Sequence, residues 1–218
     1  MSVVLGLIFV ILLAVVGLWR LRRPAAVHAS KPQEAAIHSP APPADLFLDS
    51  QHVWVRLAAD GTLRVGIDEL LGALLGRVDR VELPSVVGTR VDRGGPLLVL
   101  HRGGRTLTVP APAGGELAGI NDLLRDNPQV LVDDPYGLGW VAAVRPRDHK
   151  EALAPLHVGN GAAGLLRARL ERIVDFLVQR AAGTGARPLL ADGGVPRRGA
   201  LAELDDEGWQ AFQERFLS

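Results

Sequence analysis

The sequence predicts a mainly β domain framed by helices, and three observations support this fold class. Short apolar stretches separated by Asp-Gly and Gly-Gly turns run from residue 46 to residue 158 and are typical of strands. An unbroken apolar run precedes them, and two stretches with helical periodicity follow them. We therefore expect a compact β barrel or sandwich with short peripheral helices, one N-terminal transmembrane helix and a C-terminal α-helical extension.

The N-terminal segment, residues 1–23, has the features of an uncleaved membrane anchor. Ser2–Trp19 contains no charged side chain, and as a helix it would span about 27 Å, enough for the hydrocarbon core of a bilayer. Trp19 and the arginines Arg20, Arg22 and Arg23 then stand at the membrane interface. The positive charges follow the apolar run, whereas a secretory signal places them before it. We expect a single-pass protein of the inner membrane with the N-terminus outside and the rest in the cytoplasm; a buried core helix is the alternative.

Residues 24–45 are predicted to be a linker. They are rich in proline and alanine and lack an apolar period, so they cannot bury enough apolar surface to fold by themselves.

Residues 46–158 contain the predicted β domain. Its elements, in order, are a hairpin at 52–67 around Asp60-Gly61, a short helix at 68–76, a strand at 78–84, a hairpin at 97–110 around Gly103-Gly104, a strand at 115–121, and a turn that leads to a final strand at 134–146. Asp68 and Gly76 are predicted to cap the helix at its two ends. The Gly103-Gly104 pair predicts a two-residue type I′ turn, because glycine adopts positive φ without steric cost.

The motifs HVWVRL, GTLRVGI, VELP, VGTRV, PAPAGGEL and NPQVLVDDPYGLGW occur in this order within residues 51–156. In sequence and spacing the stretch resembles the H protein of the glycine cleavage system. The resemblance implies a lipoyl/biotinyl-like flattened β barrel of the hammerhead type. It also implies a lysine at a hairpin tip, which in that family is lipoylated and carries an aminomethyl group between enzymes.

The carrier lysine implied by the resemblance is missing. An ungapped alignment places Gly104 at that position, and the chain has only two lysines, Lys31 in the linker and Lys150 beyond the last strand. Arg102 and Arg105 flank the tip, but a guanidinium stays protonated and does not form the required amide. We therefore expect no cofactor. The two arginines are either solvated charges or partner contacts that grip a carboxylate or phosphate.

Composition and motifs exclude several other function classes. The absence of cysteine excludes disulfides and thiol catalysis. A formal net charge of zero without a basic stripe argues against nucleic acid as a partner. The scattered histidines show no spacing typical of a metal site, and no nucleophile motif or phosphate-binding loop is present. We expect a protein that is not an enzyme and holds no metal.

Residues 159–218 are predicted to be a helical extension. One amphipathic helix covers 162–182, with an apolar stripe that leaves Arg169 outside it. A second helix covers 205–217 and places Trp209, Phe212 and Phe216 on one face. Three alternatives follow: the helices pack on the barrel or on each other, the aromatic face docks into a partner, or it lies on the membrane.

Together these observations predict a non-catalytic, membrane-anchored accessory or scaffold subunit. Its degenerate H-protein-like domain would contact protein subunits of a membrane complex on the cytoplasmic side. This layout is similar to that of accessory subunits in bacterial energy-converting complexes, photosynthetic or respiratory. The alternative is a docking or carrier-related protein of lipoate-dependent glycine cleavage.

Overall fold

The computed structural model describes Ile37 and residues 42–184, 189–191 and 194–218. The strands in these residues are β1 (Phe47–Leu48), β2 (Val53–Leu57), β3 (Leu63–Ile67), β4 (Arg80–Glu82), β5 (Arg90–Val91), β6 (Pro96–Arg102), β7 (Arg105–Pro110), β8 (Gly115–Ile120), β9 (Ala142–Arg145) and β10 (His157–Val158). The helices are α1 (Glu69–Leu75), α2 (Leu123–Asp126), α3 (Val130–Asp133), α4 (His149–Leu153), α5 (Asn160–Thr184) and α6 (Asp206–Phe216), with a 3₁₀ turn at Ala200–Glu203.

Two antiparallel sheets form the β domain. The larger sheet has seven strands in the order β10-β1-β2-β3-β9-β8-β5, and the smaller has three in the order β4-β6-β7. The apolar side chains of both sheets form one core, to which Val55 and Val65 contribute from the larger sheet and Leu98 and Leu107 from the smaller. The prediction of a mainly β domain with short peripheral helices is confirmed.

Helix α1 begins and ends where its caps were predicted. The side chain of Asp68 accepts a hydrogen bond from Leu71 N at 2.8 Å, which satisfies one of the backbone donors of the first turn. Gly76 follows the helix with φ of 67°, a conformation that favours glycine. Four leucines of α1 are buried against the core. The short helices α2 and α3 precede β9 and were not predicted individually.

The C-terminal extension contributes to the same core as the strands. Ile173 and Leu177 of α5 and Phe212 of α6 are buried in it. Helix α5 extends beyond the predicted bounds 162–182 at both ends. The prediction that Arg169 lies on its polar face is wrong. Arg169 was placed outside the stripe, yet its side chain is fully buried because two carboxylates of the barrel lie beneath it.

The predicted anchor, including Trp19, Arg20, Arg22 and Arg23, lies outside the described residues. Among the helices that are described, none combines the length and apolar character that a bilayer crossing requires. Five residues of the predicted linker, Ile37 and 42–45, are described. Ile37 is buried in the core and its N–H donates to Pro196 O at 3.0 Å.

Candidate functional site

The β6–β7 hairpin ends in the predicted two-residue turn. Arg102 and Arg105 form the last pair of the ladder, and Gly103 and Gly104 between them have φ of 56° and 81°. Positive φ at both central residues defines the type I′ turn, which follows the twist of the strands. A Cβ built on either glycine meets no described atom within 4 Å, so the turn projects from the domain.

Asp79 holds the turn from one side. The Gly103 N–H donates to Asp79 Oδ2 at 2.7 Å. This hydrogen bond, with a smaller contribution from Arg77, lowers the pKa of the Asp79 carboxyl. The turn is therefore a fixed structure with an anionic support beneath it.

The tip offers no group that could accept a carboxylic acid in amide linkage. Its side chains are those of Arg102 and Arg105, and a guanidinium remains protonated in proteins. The one lysine among the described residues, Lys150, lies in the first turn of α4, where its N–H donates to Asp148 Oδ1 at 2.7 Å. The residues present at the tip thus do not fit the lipoyl group that the sequence resemblance implies.

Arg105 is engaged by the chain itself. Its Nε lies 2.9 Å from Asp206 Oδ1 and its Nη1 donates to Leu204 O at 2.6 Å. The guanidinium also lies over the ring of Trp209, 5.6 Å from the centroid. Arg105 therefore joins the hairpin to the start of α6 and is not a solvated charge at a strand end.

Arg102 binds the opposite flank of the hairpin. Its Nη1 donates to Arg77 O at 2.9 Å, and its Nη2 lies close to the C-terminal segment at Gly199. Both arginines predicted as partner contacts thus have partners within the domain. Gly103 and Gly104 are exposed at the tip, and Asp79 accepts the Gly103 N–H.

Side chains of α6 cover the free edge of β7. Gln213 accepts a hydrogen bond from Thr108 N at 2.6 Å through Oε1 and donates to Thr108 O at 2.9 Å through Nε2. Trp209 Nε1 donates to Thr106 O at 2.7 Å. A neighbouring strand would satisfy the same backbone groups, and an uncovered edge invites pairing with another chain. The helix therefore closes the smaller sheet on this side.

The aromatic face of α6 points into the domain. Trp209, Phe212 and Phe216 are 6%, 0% and 5% exposed, and both phenylalanines pack edge-on against Phe176 of α5. The expectation that these three residues contact a partner is corrected, because their apolar side chains are buried in the core of the domain. Of the three alternatives for the extension, packing on the barrel is the one observed.

A buried ionic cluster joins α5 to the barrel. Arg169 Nη1 lies 2.7 Å from Asp68 Oδ2, and Arg169 Nη2 lies 3.9 Å from Asp49 Oδ1. His52 Nδ1 lies 3.0 Å from Asp68 Oδ2. Burial raises the pKa of Asp68, but His52 and Arg169 outweigh this effect and hold its pKa at about 2. Burial also raises the pKa of Asp49.

The cluster has features of a strained structural joint. His52 is the one described non-glycine residue with positive φ, at 65°, a conformation that costs on the order of 1 kcal/mol or more. Its Nε2 and the Nε and Nη2 of Arg169 have no hydrogen-bond partner among the described residues. Periodicity could not find Arg169, because the signal for burial was a carboxylate far away in sequence and not an apolar stripe.

The other histidines of the domain lie apart from one another. His101 is half-buried on β6 and contacts Arg80 and Glu82 of β4. His149 lies 2.6 Å from Gly61 O, measured from its Nε2. No group of three or more His, Cys, Asp or Glu side chains that could hold a metal ion occurs in the described part of the chain.

Comparisons with known proteins agree with the β domain. The family model described as glycine cleavage H-protein matches residues 46–167, which ends within α5. The glycine cleavage system H protein of Pseudoalteromonas atlantica is 41% identical over 109 residues, covering 50% of this chain and 84% of that protein. That of Enterobacter sp. (strain 638) is 40% identical over 114 residues, covering 52% and 88%.

A solved structure shows the same fold. The crystal structure of a glycine cleavage system H protein from Mycobacterium marinum superposes with a TM-score of 0.50 at 30% identity. The match covers 56% of this chain and 97% of that one.

Proposed function

Because the chain belongs to the glycine cleavage H-protein family, we propose that it is a non-catalytic interaction subunit whose barrel carries no lipoyl group. The observation that carries the proposal is the hairpin tip, Arg102–Arg105. Its two turn residues are glycines at positive φ, and the neighbouring guanidiniums are bound to other parts of the domain. A swinging arm needs an exposed amine, and the tip has none.

The backbone of the tip also disfavours a lysine. At Gly104, φ is 81°, and a residue with a Cβ pays on the order of 1 kcal/mol to adopt such a conformation. The turn therefore suits the residue that is present. The tip is a tight turn built by two glycines, and replacing one of them by lysine would not by itself restore a carrier site.

The C-terminal extension supports a role in holding other proteins. It adds Arg169 and the aromatic residues of α6 to the barrel core, so the domain presents a fixed outer surface. The apolar run Ser2–Trp19 followed by arginines supports attachment to the inner membrane with the barrel in the cytoplasm. On this proposal the protein is an accessory subunit that places an H-protein surface beside an energy-converting membrane complex.

A second candidate function is docking within lipoate-dependent glycine cleavage. The matches cover 84% and 88% of two H proteins, so the barrel is retained nearly whole. A domain that retains most of the H-protein chain would present a similar surface to an enzyme that recognises H proteins, without itself carrying the cofactor.

Intact-mass measurement of the protein purified from its native host tests the absence of a lipoyl group. We expect the mass of the unmodified chain, with a lipoylated H protein from the same cells as the positive control. An added lipoyl mass, mapped by peptide analysis to any residue, would overturn the proposal.

Affinity purification from native membranes in mild detergent tests the interaction role. Chains of a membrane complex that co-purify in fixed ratio support the accessory subunit, whereas glycine cleavage enzymes support the docking alternative. Recovery of the protein alone and monodisperse refutes both. A soluble protein that needs no detergent for extraction refutes the membrane attachment.

A further inference from the structure

A cavity of about 230 Å³ lies where β5 and β8 meet α4. Its volume is several times the roughly 30 Å³ that one water molecule occupies in the liquid. Gly114, Gly115 and Ala152 form part of its lining. Arg90, Arg93 and Arg147 line it, and so do Asp148 and Glu151.

The three arginines have N–H groups to spare. Arg147 makes no hydrogen bond or ion pair with any residue that the structure describes. Arg90 uses its Nε on Asp92, at 3.3 Å. Arg93 uses its Nη2 on the carbonyls of Glu151 and Ala152, at 3.5 and 2.8 Å, which ties its position to the end of α4.

The two acids do not neutralise these arginines directly. Asp148 Oδ1 accepts the N–H groups of Lys150 and Glu151, at 2.7 and 3.1 Å, and so caps α4. The Glu151 carboxylate has no ion-pair partner within the described chain. The residues that line the cavity therefore include both guanidinium donors and a carboxylate acceptor.

We infer that this cavity binds a small phosphate monoester that also carries a hydroxyl group. Three guanidiniums match the three terminal oxygens of a phosphate, whereas a carboxylate offers two oxygens and suits one bidentate arginine. Glu151 accepts the hydroxyl. Asp92, the ion-pair partner of Arg90, and the two acids Asp148 and Glu151 balance the charges of the three arginines. The phosphate is therefore held by directed hydrogen bonds from guanidinium N–H groups and not by an excess of positive charge.

The inference is tested with the full chain in nonionic detergent micelles at fixed ionic strength. One arm adds dissolved glycerol 3-phosphate, and the other adds phosphatidic acid to the micelle, so that the same phosphate chemistry is offered from solution and from a lipid. Calorimetric titration measures the first, and fluorescence of labelled lipid measures the second. Glycerol serves as the uncharged ligand control.

Arg147→Ser is the decisive variant, because Arg147 makes no contact that the fold requires. We expect saturable binding of glycerol 3-phosphate by the wild-type chain and a Kd about tenfold higher in Arg147→Ser, the loss expected for one charge-assisted hydrogen bond. Arg125→Ser, an equal change of charge at an exposed arginine of α2, should leave the Kd unchanged.

Each other result has a meaning. Binding of phosphatidic acid alone, weakened by Arg147→Ser, keeps the phosphate site and assigns it to a lipid headgroup. Equal weakening by Arg147→Ser and Arg125→Ser overturns the inference in favour of unspecific charge attraction. No binding in either arm overturns it outright. The intact-mass and co-purification experiments test the proposed function, and their outcomes do not depend on whether this cavity binds a phosphate.

Discussion

Replacing Arg169 by methionine is expected to lower the free energy of unfolding by about 3–5 kcal/mol, the cost of removing one partner from a buried ion pair. Both Arg169 and Asp68 are 0% exposed and their charged atoms lie 2.7 Å apart. Methionine fills most of the same apolar path but leaves the Asp68 carboxylate in the core with the His52 ring as its remaining side-chain partner.

The double variant separates charge from packing. Asparagine at position 68 removes the charge yet keeps an oxygen for the Leu71 N–H, and Asn caps helices as well as Asp does. Arg169→Met/Asp68→Asn should therefore recover part of the loss, on the order of 1–3 kcal/mol, because the Asp68 charge no longer stays unpaired in the core.

Urea unfolding of the full chain in nonionic detergent, followed by tryptophan fluorescence, measures these differences. Arg167→Met, an exposed position on the same helix, is the control and should change stability by less than about 0.5 kcal/mol. A single variant Arg169→Met within about 1 kcal/mol of wild type would show that the cluster does not hold α5 to the barrel. A double variant no more stable than the single one would show that packing, not charge, sets the cost.

Three further predictions concern pH, the β7 edge and the C-terminal joint. The pKa of Asp68 is about 2 in the folded state against 3.8 for the free side chain. The contribution of Asp68 to the free energy of unfolding should therefore be complete above about pH 4 and fall by on the order of 2 kcal/mol as the pH drops toward 2. Urea midpoints should show this loss in the wild type but not in Asp68→Asn. Gln213→Leu removes two hydrogen bonds from the β7 backbone and should cost about 2 kcal/mol and speed amide exchange along β7, whereas Gln210→Leu, on the exposed face of α6, should do neither. Gly76→Ala should lower the melting temperature more than Gly88→Ala. Both glycines have positive φ, but a Cβ at position 76 lies 2.8 Å from the backbone of Gly199, whereas a Cβ at position 88 meets no described atom within 4 Å. Equal shifts in melting temperature would mean that backbone strain alone sets the cost.

Local patterns predicted the elements of the barrel well. The Gly103-Gly104 pair indicated the type I′ turn, and Asp68 and Gly76 indicated the ends of α1, because each depends on residues close in sequence. The resemblance of the motifs predicted the family and its mainly β fold. The absence of an amine at the hairpin tip can be seen without coordinates.

The destinations of polar and aromatic side chains could not be predicted in this way. Arg169 is buried by a carboxylate 101 residues away, and Gln213 bonds a strand 105 residues away. Arg102 and Arg105 looked available at the tip because their partners belong to distant segments. Periodicity identifies which face of a helix is apolar but not which surface covers it, so it does not predict that Trp209 packs on β7.

The covering of β7 by α6 has a consequence for the order of folding. Thr108 bonds a side chain 105 positions further along the chain, and contacts between such distant segments slow folding because a long loop has to close first. Any partly folded form in which the strands have paired but α6 has not docked would expose the backbone of β7 to a neighbouring chain. The contacts of Gln213 and Trp209 with β7 therefore also protect the chain from self-association through this strand, so a chain truncated before α6 would be expected to self-associate.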